Sequence, residues 1–134
     1  MSARLSSGHR RLDEILHGGL PDNAINLLIG APGSGKTILS QQYVFHNATV
    51  ERPALYLSTV SEPFDKIIRY GQTLDFFDPH AVGERVLYED LGSTLQTEGL
   101  PGVVRRLDYL LRRNHPGLIV IDSFKALRSF AMYR

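Results

Sequence analysis

Apolar residues form two kinds of pattern that alternate along the chain. Short continuous apolar runs predict buried strands. The four runs lie at residues 24–29, 53–58, 85–90 and 118–123. Between them, apolar residues recur three and four positions apart, which predicts helices. These helical stretches lie at residues 10–16, 36–48, 62–71 and 101–114. Such alternation predicts an α/β fold with a doubly wound, mainly parallel sheet.

The remaining stretches predict connections. Glycine and proline mark residues 75–84 as a loop. Residues 93–100 predict a polar connection, and residues 1–11 are polar and irregular. The run 53–58 is apolar enough for a central strand, and residues from 124 onward begin a further helix.

The first apolar run leads directly into a glycine-rich loop, and a helical pattern follows at once. The loop reads Gly30-Ala31-Pro32-Gly33-Ser34-Gly35-Lys36-Thr37. It matches the phosphate-binding pattern GxxxxGK[ST] in the strand–loop–helix setting that this pattern requires. A Gly/Pro turn with an incidental lysine is the simpler alternative. Four fixed positions in the correct setting argue against that alternative.

The residue types of this loop suit a phosphate. Glycines let the backbone adopt positive φ and approach a phosphate without a Cβ in the way. The N–H groups that are left free at the start of the following helix attract anions. Lys36 would contact the β- and γ-phosphates, and the hydroxyl of Thr37 would ligate Mg²⁺. The loop therefore predicts binding of a nucleoside triphosphate.

A second nucleotide-site signature lies at the end of the last apolar run. Residues Leu118 to Ile121 are apolar and mostly β-branched, which predicts a buried central strand, and Asp122 follows them. Ligands of open α/β sheets bind at the carboxyl ends of the strands. Asp122 would therefore hold Mg²⁺, through water. A turn aspartate after a buried strand is the alternative, and the upstream phosphate loop favours the metal role.

Composition narrows the picture further. The chain has 134 residues, of which 43% are hydrophobic and 22% are charged, as in ordinary globular domains with one core. The net charge of +1 favours neither the presence nor the absence of nucleic acid. There is no cysteine for a disulfide or thiolate site, and no apolar run or signal sequence that predicts a membrane span or export. We therefore expect a cytoplasmic protein.

Four segments together resemble the RecA-like ATPases of the KaiC type, the group that contains the circadian-clock ATPase and its non-clock bacterial and archaeal relatives. The segments read GHRRLDEILHGGLP (residues 8–21), GAPGSGKT (30–37), ALYLS (54–58) and LIVIDSFKALR (118–128). The stretch Leu12 to Pro21 separates this group from other phosphate-loop proteins. The resemblance implies ATP as the nucleotide, Mg²⁺ as the cofactor and a ring-shaped homo-oligomer with ATP bound between subunits.

The sequence departs from the family pattern after the second strand. In that pattern, two glutamates stand two and three places before a proline, and one of them activates the attacking water. Here Ser61 and Val60 occupy those places before Pro63, and Glu62 is the only nearby acid. A shift of one residue on an extended chain re-aims the side chain. Glu62 is therefore either the catalytic base or a helix-start residue.

The family core continues beyond the Asp122 strand, and its next strand lies between that strand and the phosphate-loop strand. Residues 1–134 do not include that strand. We therefore expect the chain to be the N-terminal part of a RecA-like domain, either a piece of a longer protein or the product of an interrupted gene.

The leading functional prediction is an ATP-binding and ATP-hydrolysing KaiC-like regulator with a signalling-protein partner. One alternative is an assembly module that ATP gates with little turnover, which the displaced Glu62 favours. Another is a DNA-recombination accessory ATPase, which the near-neutral charge disfavours. Four arginines off the apolar stripe of the last helix either contact phosphates or a neighbouring subunit, or form a solvated face. They are Arg105, Arg106, Arg112 and Arg113.

Overall fold

The computed structural model describes residues 4–31, 33–59, 64–123, 125 and 127 of the chain. Its strands are β1 (Arg4–Leu5), β2 (Leu20–Pro21), β3 (Ala54–Ser58), β4 (Val86–Asp90) and β5 (Leu118–Asp122). Its helices are α1 (Arg10–Ile15), α2 (Lys36–Asn47), α3 (Phe64–Gly71) and α4 (Gly92–Asn114). None of the helices described is both long enough and apolar enough to cross a lipid bilayer.

The main sheet contains three parallel strands in the order β4-β3-β5. All five residues of β3 are buried, because this strand is paired on both edges. The register aligns Ser58 with Asp90 on one side and with Asp122 on the other. The carboxyl ends of the three strands therefore form one polar edge. The predicted parallel α/β sheet and the central position of residues 53–58 are both confirmed.

Alternation along β3 divides the core into two layers. Ala54 and Tyr56 contribute to the cluster that contains Val44 and Phe45 of α2. Leu55 and Leu57 contribute to the second cluster, whose other buried members are Leu91, Leu95, Val103 and Leu110. Complete burial of one such aliphatic or aromatic side chain contributes about 1.5–3 kcal/mol. The sheet is thus covered by helices on both faces, as the doubly wound pattern predicts.

The amino-terminal segment is more ordered than its polar sequence predicts. Strands β1 and β2 pair antiparallel, with Leu5 opposite Leu20. Gly19 has φ +132, and a Cβ there would lie 2.2 Å from the carbonyl oxygen of Leu5. Glycine is therefore required at this position for the two short strands to approach.

The carboxylate of Asp13 organises the turn that follows β1. Its Oδ1 accepts hydrogen bonds from the backbone N–H and the hydroxyl of Ser7, at 2.9 and 2.7 Å. Its Oδ2 accepts from the Ser6 hydroxyl at 2.5 Å. The side-chain amides of Gln42 and Asn47 donate to the carbonyls of Ser7 and Ser6, both at 2.9 Å. These bonds attach the segment to α2.

The expectation of a buried strand at residues 24–29 is wrong. The run forms no strand, and the side chains of Ile25, Leu27 and Ile29 are 92%, 72% and 87% exposed. A strand requires a neighbour that takes its backbone N–H and carbonyl groups. No described segment pairs with this run, so its apolar composition alone does not produce a strand.

The expected polar connection at residues 93–100 is also wrong, because α4 already begins at Gly92. The backbone N–H of Gly92 donates to Asp90 Oδ1 at 2.7 Å, and Leu95 is buried against the sheet. The helix is interrupted at Gly99, which has φ 70 and ψ −166. Leu95 is the one buried leucine in the turns before Gly99. A single buried leucine does not produce a recognisable apolar stripe in the sequence.

Strand β5 is less buried than its β-branched sequence predicts. Four of its five residues are half-buried, and Ile119 is exposed. It pairs only with β3 among the described segments, so it lies at an edge and not at the expected central position. Helix α3 begins at Phe64, and the predicted helix start at Glu62 and Pro63 lies outside the described residues, as does most of the predicted helix after residue 124.

The hydrogen bonds from Ser6 and Ser7 hold the pKa of Asp13 below its ordinary value of 3.8. The ionised carboxylate therefore stabilises the folded chain above about pH 4, and this contribution is lost as the pH falls through the lowered folded-state pKa. We predict that Asp13→Asn lowers the melting temperature at pH 7. The difference from the wild type should shrink between pH 4 and the acid limit of folding.

Glu14→Gln is the matched control, because the ion pair between Glu14 and Arg10 is largely exposed. Thermal unfolding followed by circular dichroism from pH 7 downward makes the comparison. A destabilisation by Asp13→Asn that stays constant over this range would contradict a role for the charge of Asp13.

Candidate functional site

The candidate site lies at the carboxyl edge of the sheet, where β3 and β5 end and α2 begins. In open α/β sheets this edge is the usual ligand-binding position. The register places Ser58 and Asp122 side by side there. The loop of residues 30–35 leads into α2, so the predicted phosphate loop and the predicted carboxylate meet at one edge.

Two glycines of the loop adopt conformations that side chains disfavour. Gly33 and Gly35 have φ +80 and +95. Gly35 is left-handed and directly precedes the first residue of α2. A Cβ on Gly30 would lie 2.5 Å from Ser34 Oγ, so a side chain there would displace Ser34. The loop is closed by the backbone N–H of Ser34, which donates to the carbonyl of Ala31 at 3.1 Å.

Lys36 reaches back across this loop. Its Nζ donates a hydrogen bond to the carbonyl oxygen of Gly30, at the opposite end of the loop. The first N–H groups of α2 have no carbonyl one turn earlier in the helix to which they could donate. The ammonium of Lys36 and the positive end of α2 therefore lie at the same loop, as anion binding requires. Pro32 lies outside the described residues.

Thr37 and Asp122 are in direct contact, although 85 residues separate them in sequence. The hydroxyl of Thr37 donates to Asp122 Oδ2 at 3.0 Å. The donated hydrogen leaves the lone pairs of the Thr37 oxygen available to a cation. A hydroxyl and a carboxylate supply the hard oxygen ligands that Mg²⁺ prefers, together with water and substrate phosphate. The donor set at this contact therefore fits magnesium.

Sequence reasoning missed Tyr56. Its side chain is fully buried, and its hydroxyl donates to Asp122 Oδ2 at 2.5 Å. Burial, followed by the hydrogen bond to Asp122, raises the pKa of the Tyr56 phenol well above its ordinary value, so the group stays a donor. The alternation of side chains along residues 54–58 could have placed Tyr56 on the α2 face. The sequence alone offers no signal that links its hydroxyl to Asp122.

Thr59 connects the ends of β3 and β5. Its backbone N–H donates to the carbonyl of Asp122 at 3.0 Å, and its hydroxyl donates to the carbonyl of Ser123 at 2.6 Å. The backbone N–H of Ser123 in turn donates to the Thr59 hydroxyl at 2.9 Å. These bonds hold the peptide groups that follow Asp122, so the end of β5 is fixed to the end of β3.

The structure thus brings Lys36, Thr37 and Asp122 to one edge. Glu62, the predicted base, lies outside the described residues. In the parts of the chain that are described, no three acidic or histidine side chains gather into a group that could hold a metal ion. Among the described residues at this edge, Thr37 and Asp122 are the predicted metal ligands that the structure brings into contact.

Comparison with known proteins agrees with this geometry. The family model described as the KaiC ATPase matches residues 5–132. A circadian clock oscillator protein KaiC from a Picosynechococcus species is 30% identical over 124 residues, which cover 87% of this chain and 24% of that protein. UPF0273 proteins of Pyrococcus horikoshii and Thermotoga maritima are each 41% identical over 63 residues, which cover 47% of this chain and 26% of theirs.

The aligned regions span about a quarter of the length of these curated relatives. The family match, in contrast, extends over nearly all of this chain, and it includes the phosphate loop and Asp122. The parallel sheet, the loop at the start of α2 and the match agree on a RecA-like phosphate-loop fold. The chain therefore belongs to the KaiC family of ATPases.

Proposed function

We propose that this chain is the nucleotide-binding part of a KaiC-like regulatory ATPase that binds and hydrolyses Mg-ATP at the carboxyl edge of its sheet. The observation that carries the proposal is the contact between Thr37 and Asp122, 85 residues apart, beside a loop that Lys36 spans. A phosphate-loop threonine and a strand-end aspartate that touch are the two groups that phosphoryl-transfer sites use for the metal.

The loop residues would hold the triphosphate. The backbone N–H groups of Gly33 and of residues 35–37, together with the positive end of α2, would attract the phosphate oxygens. Lys36 would exchange its hydrogen bond to the Gly30 carbonyl for the β- and γ-phosphates. Gly30, Ala31 and Ser34 would complete the cradle by keeping the backbone close to the ligand, and Pro32, which lies outside the described residues, is the remaining residue of the predicted loop.

Thr37 and Asp122 would hold Mg²⁺, the threonine directly and the aspartate through water. When bound, the ion neutralises charge on the phosphate oxygens during transfer. The chain's own contribution is to keep the Thr37 hydroxyl and the Asp122 carboxylate in place before the nucleotide arrives. Preorganised charge of this kind stabilises a transition state without reorganisation at the moment of reaction.

We assign the orientation of the attacking water to Glu62, the only acid near the end of β3 in sequence. A general base must lie within hydrogen-bond reach of the water. The one-residue displacement from the family pattern also supports a second candidate, a module in which ATP gates assembly or signalling with little turnover. The two candidates share the binding site and differ only in hydrolysis.

A role in binding DNA receives less support. Three of the four arginines on α4 are engaged with carboxylates of this chain. The pairs are Arg105 with Glu98, Arg106 with Glu89 and Arg112 with Asp108. Arg113 donates to the hydroxyl of Tyr109 at 3.0 Å. Arginines that are already paired offer little free charge to a phosphate backbone.

We further propose that residues 1–134 are the N-terminal portion of a RecA-like domain. The exposed run 25–29 and the half-buried β5 each have a side that no described segment pairs with, and one additional parallel strand would cover both. By family resemblance, that strand lies between them, and the complete domains assemble into a cytoplasmic ring with ATP at subunit contacts. A signalling protein would read the assembled state.

Binding is tested first. We predict that Mg-ATP at a hundredfold excess over its Kd stabilises the folded chain by about 2.7 kcal/mol. Lys36→Ala should remove most of this shift, because it removes the charge that faces the phosphates. Arg112→Ala, which alters an exposed ion pair of α4, is the control and should keep the shift. Identical melting curves with and without Mg-ATP would refute the binding proposal.

Hydrolysis is tested in a chain extended through the complete domain. We predict that Glu62→Gln lowers turnover by a factor on the order of 10²–10⁴, while ATP binding survives. Glu51→Gln, at an exposed turn, is the control and should leave turnover unchanged. Wild-type turnover in the Glu62 variant would remove this residue from the catalytic set. Absence of turnover in the extended wild type would favour the gated assembly module.

The proposed additional strand predicts a pattern of hydrogen exchange. In the 134-residue chain, amides at 25–29 should exchange rapidly, whereas those of β3 should be protected. Extension of the chain through the downstream coding sequence should slow exchange at 25–29 and at Ile119 and Ile121. Protection of 25–29 equal to that of β3 in the shorter chain would contradict this proposal.

A further inference from the structure

We propose that Tyr56 is a positioning residue for magnesium. Its hydroxyl holds the Asp122 carboxylate in the orientation that turns one oxygen toward the metal. The inference rests on the proposed function of the site, and it assigns a role to a residue outside both nucleotide-binding motifs. Tyr56 acts through Asp122 and contacts neither phosphate nor metal.

The position of Tyr56 in the sheet makes this contact rigid. Tyr56 lies in the middle of β3, opposite Val120 in register, and Asp122 follows two positions later on the same face of β5. A diagonal neighbour two residues along an adjacent strand is within reach of an aromatic side chain. The ring of Tyr56 is fully buried and packs against that of Tyr88, with centroids 5.5 Å apart. The hydroxyl is therefore delivered by a side chain with little freedom.

The two oxygens of Asp122 differ in their hydrogen bonds. Oδ2 accepts from both Tyr56, at 2.5 Å, and Thr37, at 3.0 Å. A carboxylate oxygen has two lone pairs, so these two donors saturate Oδ2. With Oδ2 occupied by these two donors, Oδ1 would be the oxygen that accepts a hydrogen bond from a metal-bound water.

Without the Tyr56 hydroxyl, the Asp122 carboxylate would lose one of the two hydrogen bonds to Oδ2 and could rotate. The terminal torsion of an aspartate is broad, so one hydrogen bond from Thr37 holds the plane of the carboxylate less tightly than two do. Thr37 would itself ligate the metal, and a carboxylate that rotates would draw its hydroxyl away. The expected loss is in metal affinity, because Lys36 and the loop amides hold the phosphates without Tyr56.

Tyr88 provides a matched control within the same core. Its ring also lies on the α2 face of the sheet, next to Tyr56, and its hydroxyl donates to Gln41 Oε1 at 3.3 Å. Removal of this hydroxyl changes a half-buried tyrosine of the same cluster by the same single atom, and it leaves both hydrogen bonds to Asp122 in place. Tyr88→Phe therefore separates a general packing effect from an effect on Asp122.

The test compares Tyr56→Phe, Tyr88→Phe and the wild type in two equilibrium titrations. One measures the apparent Kd for Mg²⁺ at a fixed concentration of a fluorescent ATP analogue. The other measures the Kd for the same analogue in EDTA. We expect Tyr56→Phe to weaken Mg²⁺ binding about 10- to 100-fold, as for other groups that orient a metal ligand, with an unchanged Kd in EDTA. Tyr88→Phe should match the wild type in both.

The outcomes separate the possible failures. Equal Mg²⁺ affinity in Tyr56→Phe and the wild type would overturn the positioning role and leave the proposed function intact. Equal weakening in EDTA and in Mg²⁺ would assign the effect to packing and would also overturn it. Failure of the wild type to bind the analogue in either condition would overturn the proposed function, and the positioning role with it.

A measurement on the unaltered chain does not depend on the stability of a variant. The ¹³Cζ resonance of a tyrosine responds to the hydrogen bond of its hydroxyl. In a chain labelled at tyrosine Cζ, we expect Mg²⁺ added to the nucleotide complex to shift the Tyr56 resonance and to leave that of Tyr88 in place. Absence of a shift at Tyr56, in a chain that binds Mg²⁺, would overturn the proposal.

Discussion

The carboxylate of Asp122 joins three elements that are distant in sequence. It ends β5, accepts from Thr37 in the first turn of α2, and accepts from Tyr56 in the middle of β3. A half-buried carboxylate is stable at such a junction only when its oxygens are hydrogen-bonded. The relative position of the phosphate loop and the sheet therefore depends on this group, and so does the metal site that we propose.

The central strand makes this junction possible. Pairing on both edges buries β3 completely, and its side chains alternate between the two helical layers. The leucines of β3 pack into one layer. Tyr56 packs into the other layer and brings a hydroxyl to the polar edge, because an aromatic side chain is long enough to combine core packing with a polar contact. One side chain thus contributes to the stability of the core and to the order of the site.

The sequence predicts those parts of this molecule that depend on local patterns. Periodicity predicts helix α2 and strand β3. The motif predicts the loop from Gly30 to Thr37, because its glycines are required for steric reasons. The sequence does not predict features that depend on distant partners. The run 24–29 has strand composition but no described partner, and the helical turns after Gly92 depend on burial of Leu95. The bond between Tyr56 and Asp122 arises only after β3 and β5 have aligned.

The attachment of the amino-terminal segment has a mechanical consequence. Helix α2 is held near its start by Thr37, and farther along by Gln42 and Asn47, which bond to the carbonyls of Ser7 and Ser6. Because α2 is hydrogen-bonded at its start, middle and end, it cannot slide or rotate without breaking several hydrogen bonds. Adjustment to an incoming triphosphate therefore falls to the Lys36 side chain and to the loop before α2, and the helix serves as a stationary support.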